Sequence, residues 1–488
     1  GANGVVSVST DATVGTHYET VTVTDSLGVT ASSAITIVVN AALIMSGTNQ
    51  IFATNGRSFT TAYTASGGTG NKTWAISGLN PKISIDTNGI LTIASDLTVG
   101  IYYETVTVTD EKSVKVIKSV TIQINDSLGI TGPTLILNTF SHTLNSDTYT
   151  VTGGTGTKVF SISNDSGISI NSSNGSITVL GSVSVGDHPE TITVTDANGA
   201  SALISIIIRV NNAITIASGS GITTTFGRSD SSTAFTSSYG TGSVSFSLVS
   251  TPSSSELTIS STTGVISASN QLGDGTYSVV VTVTDSLGVS ASKTVVVKVN
   301  KLPTFGSAPT LATTFGRAKT FAPIIAQFGT DTLTYSISGD QVGNGISINS
   351  TTGEIYIDGS KAVRSYLETI TATDIFGLSG LLNVTIVVNN LPTISGVNNL
   401  ITTKGRAAQT TALSASNGTG PYQFSMTTDG SANMAIDSTT GIISVSGSLG
   451  AGTYNETITV TDSSGATGTA LVQITVNQEL TVSGGGDV

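Results

Sequence analysis

The chain of 488 residues contains no cysteine, which excludes a disulfide framework and thiolate metal sites. Charge is scarce too: Asp, Glu, Lys and Arg make up 10% of residues, against roughly 25% in an ordinary soluble protein. Ser, Thr, Gly and Asn fill the space, so the surface is hydroxyl-rich and its contacts depend little on salt. Lys and Arg number 18 against 30 Asp and Glu, for a net charge of -12. That leaves no basic stripe of the kind nucleic acid binding requires. No apolar run reaches the ~18 residues of a membrane-spanning helix, so no membrane span is expected in this segment.

What is present is a repeat. Gly4, Gly89, Gly175, Gly264, Gly353 and Gly441 are each followed, at one unvarying interval, by Asp25, Asp110, Asp196, Asp285, Asp374 and Asp462. At a second unvarying interval stand Asn40, Asn125, Asn211, Asn300, Asn389 and Asn477. One folding unit copied in series is the meaning of such a period. Cutting after each Asn gives a back half of a module at 1–40, whole modules at 41–125, 126–211, 212–300, 301–389 and 390–477, and the start of another at 478–488. The stretch past Asn477 and the few positions before Gly4 do not add up to a missing front half, so a longer array is expected.

Within a module the pattern is that of strands. From Tyr102 to Asp110, Glu104, Val106 and Val108 alternate with Thr105, Thr107 and Thr109, the period of a half-buried strand. Turns such as Asp196-Ala-Asn-Gly199 place Asp first, where it accepts backbone hydrogen bonds, and Gly fourth, where positive φ is tolerated. No helical period appears. A ring recurs after the Gly-Thr-Gly turn, as Trp74, Phe160, Phe246, Tyr335 and Phe424, the centre expected of a two-sheet core. A second ring lies eight residues before each Asp: His17, Tyr102, His188, Tyr277, Tyr366 and Tyr454. Its polar atom suits a bond to nearby backbone, as in the tyrosine corner of Greek-key sandwiches. The predicted fold class is all-β, a tandem array of Greek-key β-sandwich modules of 85–89 residues.

The run Ala65-Ser-Gly-Gly-Thr-Gly-Asn-Lys-Thr-Trp74, with Ile83-Ser-Ile-Asp-Thr-Asn-Gly89 and Glu104-Thr-Val-Thr-Val-Thr-Asp110, resembles the tandem Ig-like ("putative Ig") and cadherin-like repeats of bacterial and archaeal surface proteins. The likeness recurs once per module and implies an Ig-like or cadherin-like sandwich and a place at the cell exterior. It departs from calcium-binding cadherins in lacking their Leu-Asp-Arg-Glu motif and Asp-rich linker. A lone Asn marks each junction instead.

Polar residues also recur near the junctions. A cation follows each junction Asn at a third fixed interval: Arg57, His142, Arg228, Arg317 and Arg406. An acid precedes each turn Asp by six: Glu19, Glu104, Glu190, Glu368 and Glu456, with Val279 as the exception. Sandwich topology is expected to bring Arg57, Glu104 and Asn125 to the exit pole of one module, facing Asp196 at the entry of the next. Asp285, Asp374 and Asp462 occupy the same place at later joints. Either the guanidinium clamps the joint through charge-assisted hydrogen bonds, or Arg pairs with Glu inside one module while Asp only caps its turn. Arg228, facing Val279, must look elsewhere for an acid. Calcium is the rival occupant, with Glu104, Asn125 and Asp196 as candidate ligands, but three protein oxygens fall short of the six or more it takes.

Catalysis finds no support in the pattern. The Glu and Asp of one strand face are six residues apart, ~20 Å at ~3.3 Å per residue, whereas paired carboxylates act from roughly 5 to 10 Å. No cofactor is implied. Sequons such as Asn71, Asn164 and Asn349 permit glycosylation where the host performs it. These features describe a non-enzymatic structural protein of the cell exterior, forming a filament, stalk or surface layer by association with copies of itself. The alternative is the stalk of a large adhesin, calcium-stiffened or not, presenting a tip elsewhere. Cell-wall or surface glycans are the other partner class.

Overall fold

The computed structural model describes residues 3–163, 166–339, 345–427 and 432–482; the sequon at Asn164 lies outside them. Every regular element among the described residues is a strand. The chain opens with the hairpin β1 (Gly15–Thr24) and β2 (Thr30–Val39). The first whole module then runs β3 (Ile44–Ser46), β4 (Gln50–Thr54), β5 (Phe59–Ala62), β6 (Thr64–Ser66), β7 (Lys72–Ile76), β8 (Ile83–Ile85), β9 (Ile90–Ile93), β10 (Gly100–Asp110) and β11 (Lys115–Asn125).

One sheet has the order β4-β11-β10-β7 and a second the order β5-β9-β8. The Val/Thr alternation of β10 does what its period predicts: Val106 and Val108 are buried, and Thr105, Thr107 and Thr109 face outward. Ile51, Leu91, Ile93, Val120 and Ile122 join Val106 in one core between the sheets. Burying each such side chain stabilises by about 1.5–3 kcal/mol. Pairing within the four-stranded sheet is antiparallel except at one edge, where β4 runs parallel to β11.

The module has nine strands, partly because the first is divided between sheets. Its first piece, β3, pairs with β6, and its second, β4, pairs with β11. The crossing point is Gly47, at φ 152°, where a Cβ would lie 2.3 Å from Cδ1 of Tyr63. Only glycine lets the strand pass over that ring. Tyr63 in turn donates its hydroxyl to the carbonyl of Thr48 at 2.7 Å.

The chain divides into two compact units: Gly1–Ile216 with Ser237–Ser245 and Val283–Ala291, and Ala217–Thr236 with Phe246–Thr282 and Ser292–Val488. The first holds the opening hairpin, residues 41–125 and 126–211, and three segments of 212–300. Module 126–211 repeats the four-stranded order with Leu135–Thr139, Ser201–Asn211, Gly186–Asp196 and Lys158–Ile162. The second unit holds the remainder of module 212–300 and modules 301–389 and 390–477. Its sheets repeat the parallel edge pair, as Leu311–Thr314 beside Ser379–Asn389 and Leu400–Thr403 beside Thr467–Asn477. Each whole module is a Greek-key β-sandwich of one four-stranded and one three-stranded sheet.

The recurring rings take up fixed positions. Phe160, Phe246, Tyr335 and Phe424 are buried and Trp74 is half-buried. The second ring bonds the carbonyl four residues upstream in each copy. Tyr102 donates to Thr98, Tyr277 to Gly273, Tyr366 to Ala362 and Tyr454 to Gly450, at 2.8–3.0 Å. His17 and His188 reach Thr13 and Ser184 through Nε2 at 2.8 and 2.9 Å.

Candidate functional site

The joints between successive modules carry a buried polar constellation that repeats among the described residues. Each of the four joints below lies inside one of the two units. At the joint of 41–125 with 126–211, the turn Asp196 uses both carboxylate oxygens. Oδ1 accepts from the amides of Asn198 and Ala200 within its own turn, each at 2.9 Å. Oδ2 accepts from the amide of Thr155 at 2.8 Å and from the hydroxyl of Thr54, the last residue of β4 in the preceding module. The Thr54 and Thr155 hydroxyl oxygens are 2.8 Å apart, and Asn125 Nδ2 donates to Thr155 Oγ1 at 2.9 Å.

The same set recurs at three further joints. Thr139 donates to Asp285 Oδ2 at 2.7 Å, lies 2.7 Å from Thr241, and Asn211 donates to Thr241 at 2.9 Å. Thr225, Thr330, Asp374 and Asn300 repeat it, as do Thr314, Thr419, Asp462 and Asn389. A carboxylate only accepts, so the proton of the strand-end Thr goes to Asp. The second Thr then donates to the first and accepts from Asn, closing a relay from amide to carboxylate.

Burial makes this relay strong. Thr54, Thr139, Thr225 and Thr314 are at most 2% exposed and the four Asp are each 5% exposed. Burial alone would push the carboxyls of Asp196, Asp285 and Asp462 up. The strand-end Thr hydroxyl and three backbone amides outweigh it in each case and hold the group below the ordinary carboxylate range. A Thr hydroxyl on a carboxylate is also the pairing of nucleophile and base. Here both groups are buried and the bond between them runs from one module to the next.

The residues singled out from sequence fall into three groups. Asn125 and Asp196 do meet across the joint, through Thr155. Arg57, Arg228 and Arg317 lie against the Asp-x-x-Gly turn of the next module instead of its Asp. A Cβ on Gly199 would lie 2.9 Å from Arg57 Nη2, and one on Gly465 would lie 4.0 Å from Arg317 Cζ. Arg228 Cζ sits 3.9 Å from the ring centroid of Phe376, in the corresponding turn, while its Nη1 pairs with Asp230 of its own module at 2.8 Å. Arg406 occupies the same strand-end position, its carbonyl accepting from Thr402 Oγ1 at 3.1 Å.

The glutamates stay inside their modules, which corrects the expected fourfold meeting of Arg, Glu, Asn and Asp. Gly100 of β10 pairs with Ile124 at the exit end, but Glu104 pairs with Val120. Four residues at ~3.3 Å set it about 13 Å back from the joint. Its Oε2 accepts from Ser77 Oγ at 3.0 Å, and Ser163 donates likewise to Glu190. Glu368 is fully buried against Gly339, where a Cβ would lie 2.0 Å from its Oε2. The calcium candidates are therefore divided, Glu104 lying apart from Asn125 and Asp196. Among the described residues no group of three or more His, Asp or Glu forms a metal cluster.

The threonines are what sequence reasoning missed. Thr54, Thr139, Thr225 and Thr314 stand three residues before each cation, and Thr155, Thr241, Thr330 and Thr419 follow the first Gly of the aromatic-preceding turn. The signal was periodic, but hidden among many other threonines.

No protein-family model and no curated protein matches the chain. Among solved structures it is similar to immunoglobulin domains 1–5 of Sidekick-1, at 13% identity and a TM-score of 0.34, over 90% of this chain and 99% of that one. It is also similar to the human Desmocollin-1 ectodomain, at 16% identity and a TM-score of 0.23, over 85% and 94%. The N-terminal eight Ig domains of Down Syndrome Cell Adhesion Molecule match at 14% and 0.24, over 92% and 72%. Likenesses this distant speak to fold alone, and that already rests on the strand order.

Proposed function

We propose that the chain is a non-enzymatic structural repeat protein of the cell exterior, a filament, stalk or surface-layer component in which modules bounded at 40, 125, 211, 300, 389 and 477 act in series. The observation that carries this reading is the buried Thr-Thr-Asp relay, present at four joints with the same partners. A chain of flexible beads has no need of a buried, fully bonded carboxylate at each junction. Self-association is supported by apolar side chains on the outer faces of the four-stranded sheets, including Tyr103, Ile117, Leu203, Leu381 and Leu471, all exposed. They sit among outward-facing Thr on surfaces carrying little charge, so copies meet weak repulsion. Among the described residues no helix is long and apolar enough to cross a membrane.

The test is electron microscopy and sedimentation of the purified chain at rising concentration. Regular fibres or lattices, lost when Ile117, Leu203 and Leu381 are all changed to Thr, support self-assembly. A monomer at every concentration sinks the filament and surface-layer reading.

A further inference from the structure

The entry turn of each module is the same, with an amide after the turn's first position bonding back to the junction. Gly68 donates to Ala41, Gly154 to Asp126, Gly240 to Asn212, Gly329 to Lys301 and Gly418 to Asn390. The residue before that amide has positive φ in all five copies, as Gly67, Gly153, Tyr239, Phe328 and Asn417. Glycine is the fitting residue: at Gly153 a Cβ would lie 2.2 Å from the carbonyl of Ser127. Tyr239 at φ 68° is therefore held in a conformation that is strained for a bulky residue. It obtains no core burial in return, since it is 64% exposed.

The ring stands at the rim of a cleft of about 280 Å³ that lies wholly within the first unit and is also lined by Asp187, Arg209, Asn211 and Asn212. Arg209 and Asp187 form a bidentate pair, Nε to Oδ1 at 2.7 Å and Nη2 to Oδ2 at 2.9 Å. That pair cancels its own charge while leaving outward a donor edge on Arg and lone pairs on Asp. The corresponding cleft at the preceding joint is lined by Gly153 and Gln123 and has no ring. The corresponding Phe328 lies 5.3 Å beneath Lys301 Nζ, its face partly covered by a cation. Among the described residues, only at Tyr239 do an exposed ring, a neutral ion pair and junction amides line one small concavity.

We propose that this cleft binds one terminal or internal residue of a neutral glycan. The apolar C–H face of a pyranose stacks on the Tyr239 ring, and vicinal hydroxyls bridge the Asp187–Arg209 pair and the Asn212 amide. The cancelled charge argues against an acidic ligand, and the small volume suits a sugar ring better than a protein surface. This goes beyond the structural role and does not depend on assembly.

The experiment uses the full chain with ¹³C-ring-labelled tyrosine, titrated to millimolar levels with β-1,4-linked N-acetylglucosamine tetramer, α-1,4-glucose tetramer, a mannose tetramer and an acidic galacturonate tetramer. Saturable shifts of the Tyr239 signals with at least one neutral tetramer are expected. Tyr239→Gly restores the residue used at 67 and 153, so its melting temperature should be equal or higher while binding weakens about tenfold or more, the loss typical of an aromatic anchor. Arg209→Gln should weaken binding likewise. The proposal is overturned by binding of the acidic tetramer alone, by the absence of any Tyr239 shift, or by undiminished binding in Tyr239→Gly. It is equally overturned if Tyr239→Gly melts lower, since the ring is then packing, or if it changes only the oligomeric state, since the occupant is then a second copy.

Discussion

Thr139→Val keeps the shape of a fully buried side chain and removes the hydroxyl that donates to Asp285 Oδ2 at 2.7 Å. Oδ2 then loses its donor from across the joint and retains only the Thr241 amide of its own module, at 3.0 Å. A hydrogen bond to a charged group contributes about 1.5–3 kcal/mol, and a buried acceptor deprived of its donor loses at least that. At about 1.4 kcal/mol per tenfold, the joint should open about 10- to 100-fold more often. Hydrogen exchange of the full-length chain reads this locally. The amides of Leu287 and Val289, which donate to Asp285 Oδ1 at 2.9 Å, and that of Thr241 should exchange faster by that factor. Amides of β10 and β11 in module 41–125 should not change. Because the two partners share one bond, Thr139→Val combined with Asp285→Asn should cost less than the sum of the two singly. A rise below about threefold at these amides, or an equal rise in β10 and β11, would refute the idea that the relay holds the joint.

Three further outcomes are expected. The carboxyls of Asp196, Asp285 and Asp462 are held below the ordinary range, so their stabilising effect is fully present above ~pH 4 and is lost only as pH falls through their lower folded values. Joint protection that disappears between pH 7 and 5 would contradict this. Arg228→Gln and Phe376→Ala should show a coupling of about 0.5–1 kcal/mol in a double-mutant cycle read by exchange at the Asp374 turn, reflecting the guanidinium on the ring. Strict additivity would show the contact to be incidental. Chelation with EDTA should leave the melting curve unchanged, since both oxygens of Asp196 are already engaged by protein donors. A fall in melting temperature would restore the calcium-stiffened alternative.

How much of this could be read in advance depended on whether geometry is local. The alternation around Val106 and Thr107, the Asp-first and Gly-fourth turns, and the polar ring of Tyr366 or His188 all act within a few residues of sequence, and each was legible. The position of Glu104 was not, because starting a strand at the exit pole says nothing of how far along it residue five lies. Arg57 lies beside Gly199 in the turn of the next module, a neighbour that no residue type advertises. Thr54 was concealed by composition. In a chain where Thr occupies so many outward strand positions, the inward-facing one differs only in register. Tyr239 stood in plain sight, yet its significance appears only beside Gly67 and Gly153.

The parallel pairing of Gln50–Thr54 with Lys115–Asn125 has a mechanical consequence. Tension applied through the two ends of a module drags these neighbours in opposite directions along their common axis. Their backbone bonds are then loaded simultaneously in shear, where peeling would break them singly, and the tethering force must overcome them all at once. The same edge arrangement recurs in all five whole modules, so a pulled chain should resist with similar rupture forces at each step.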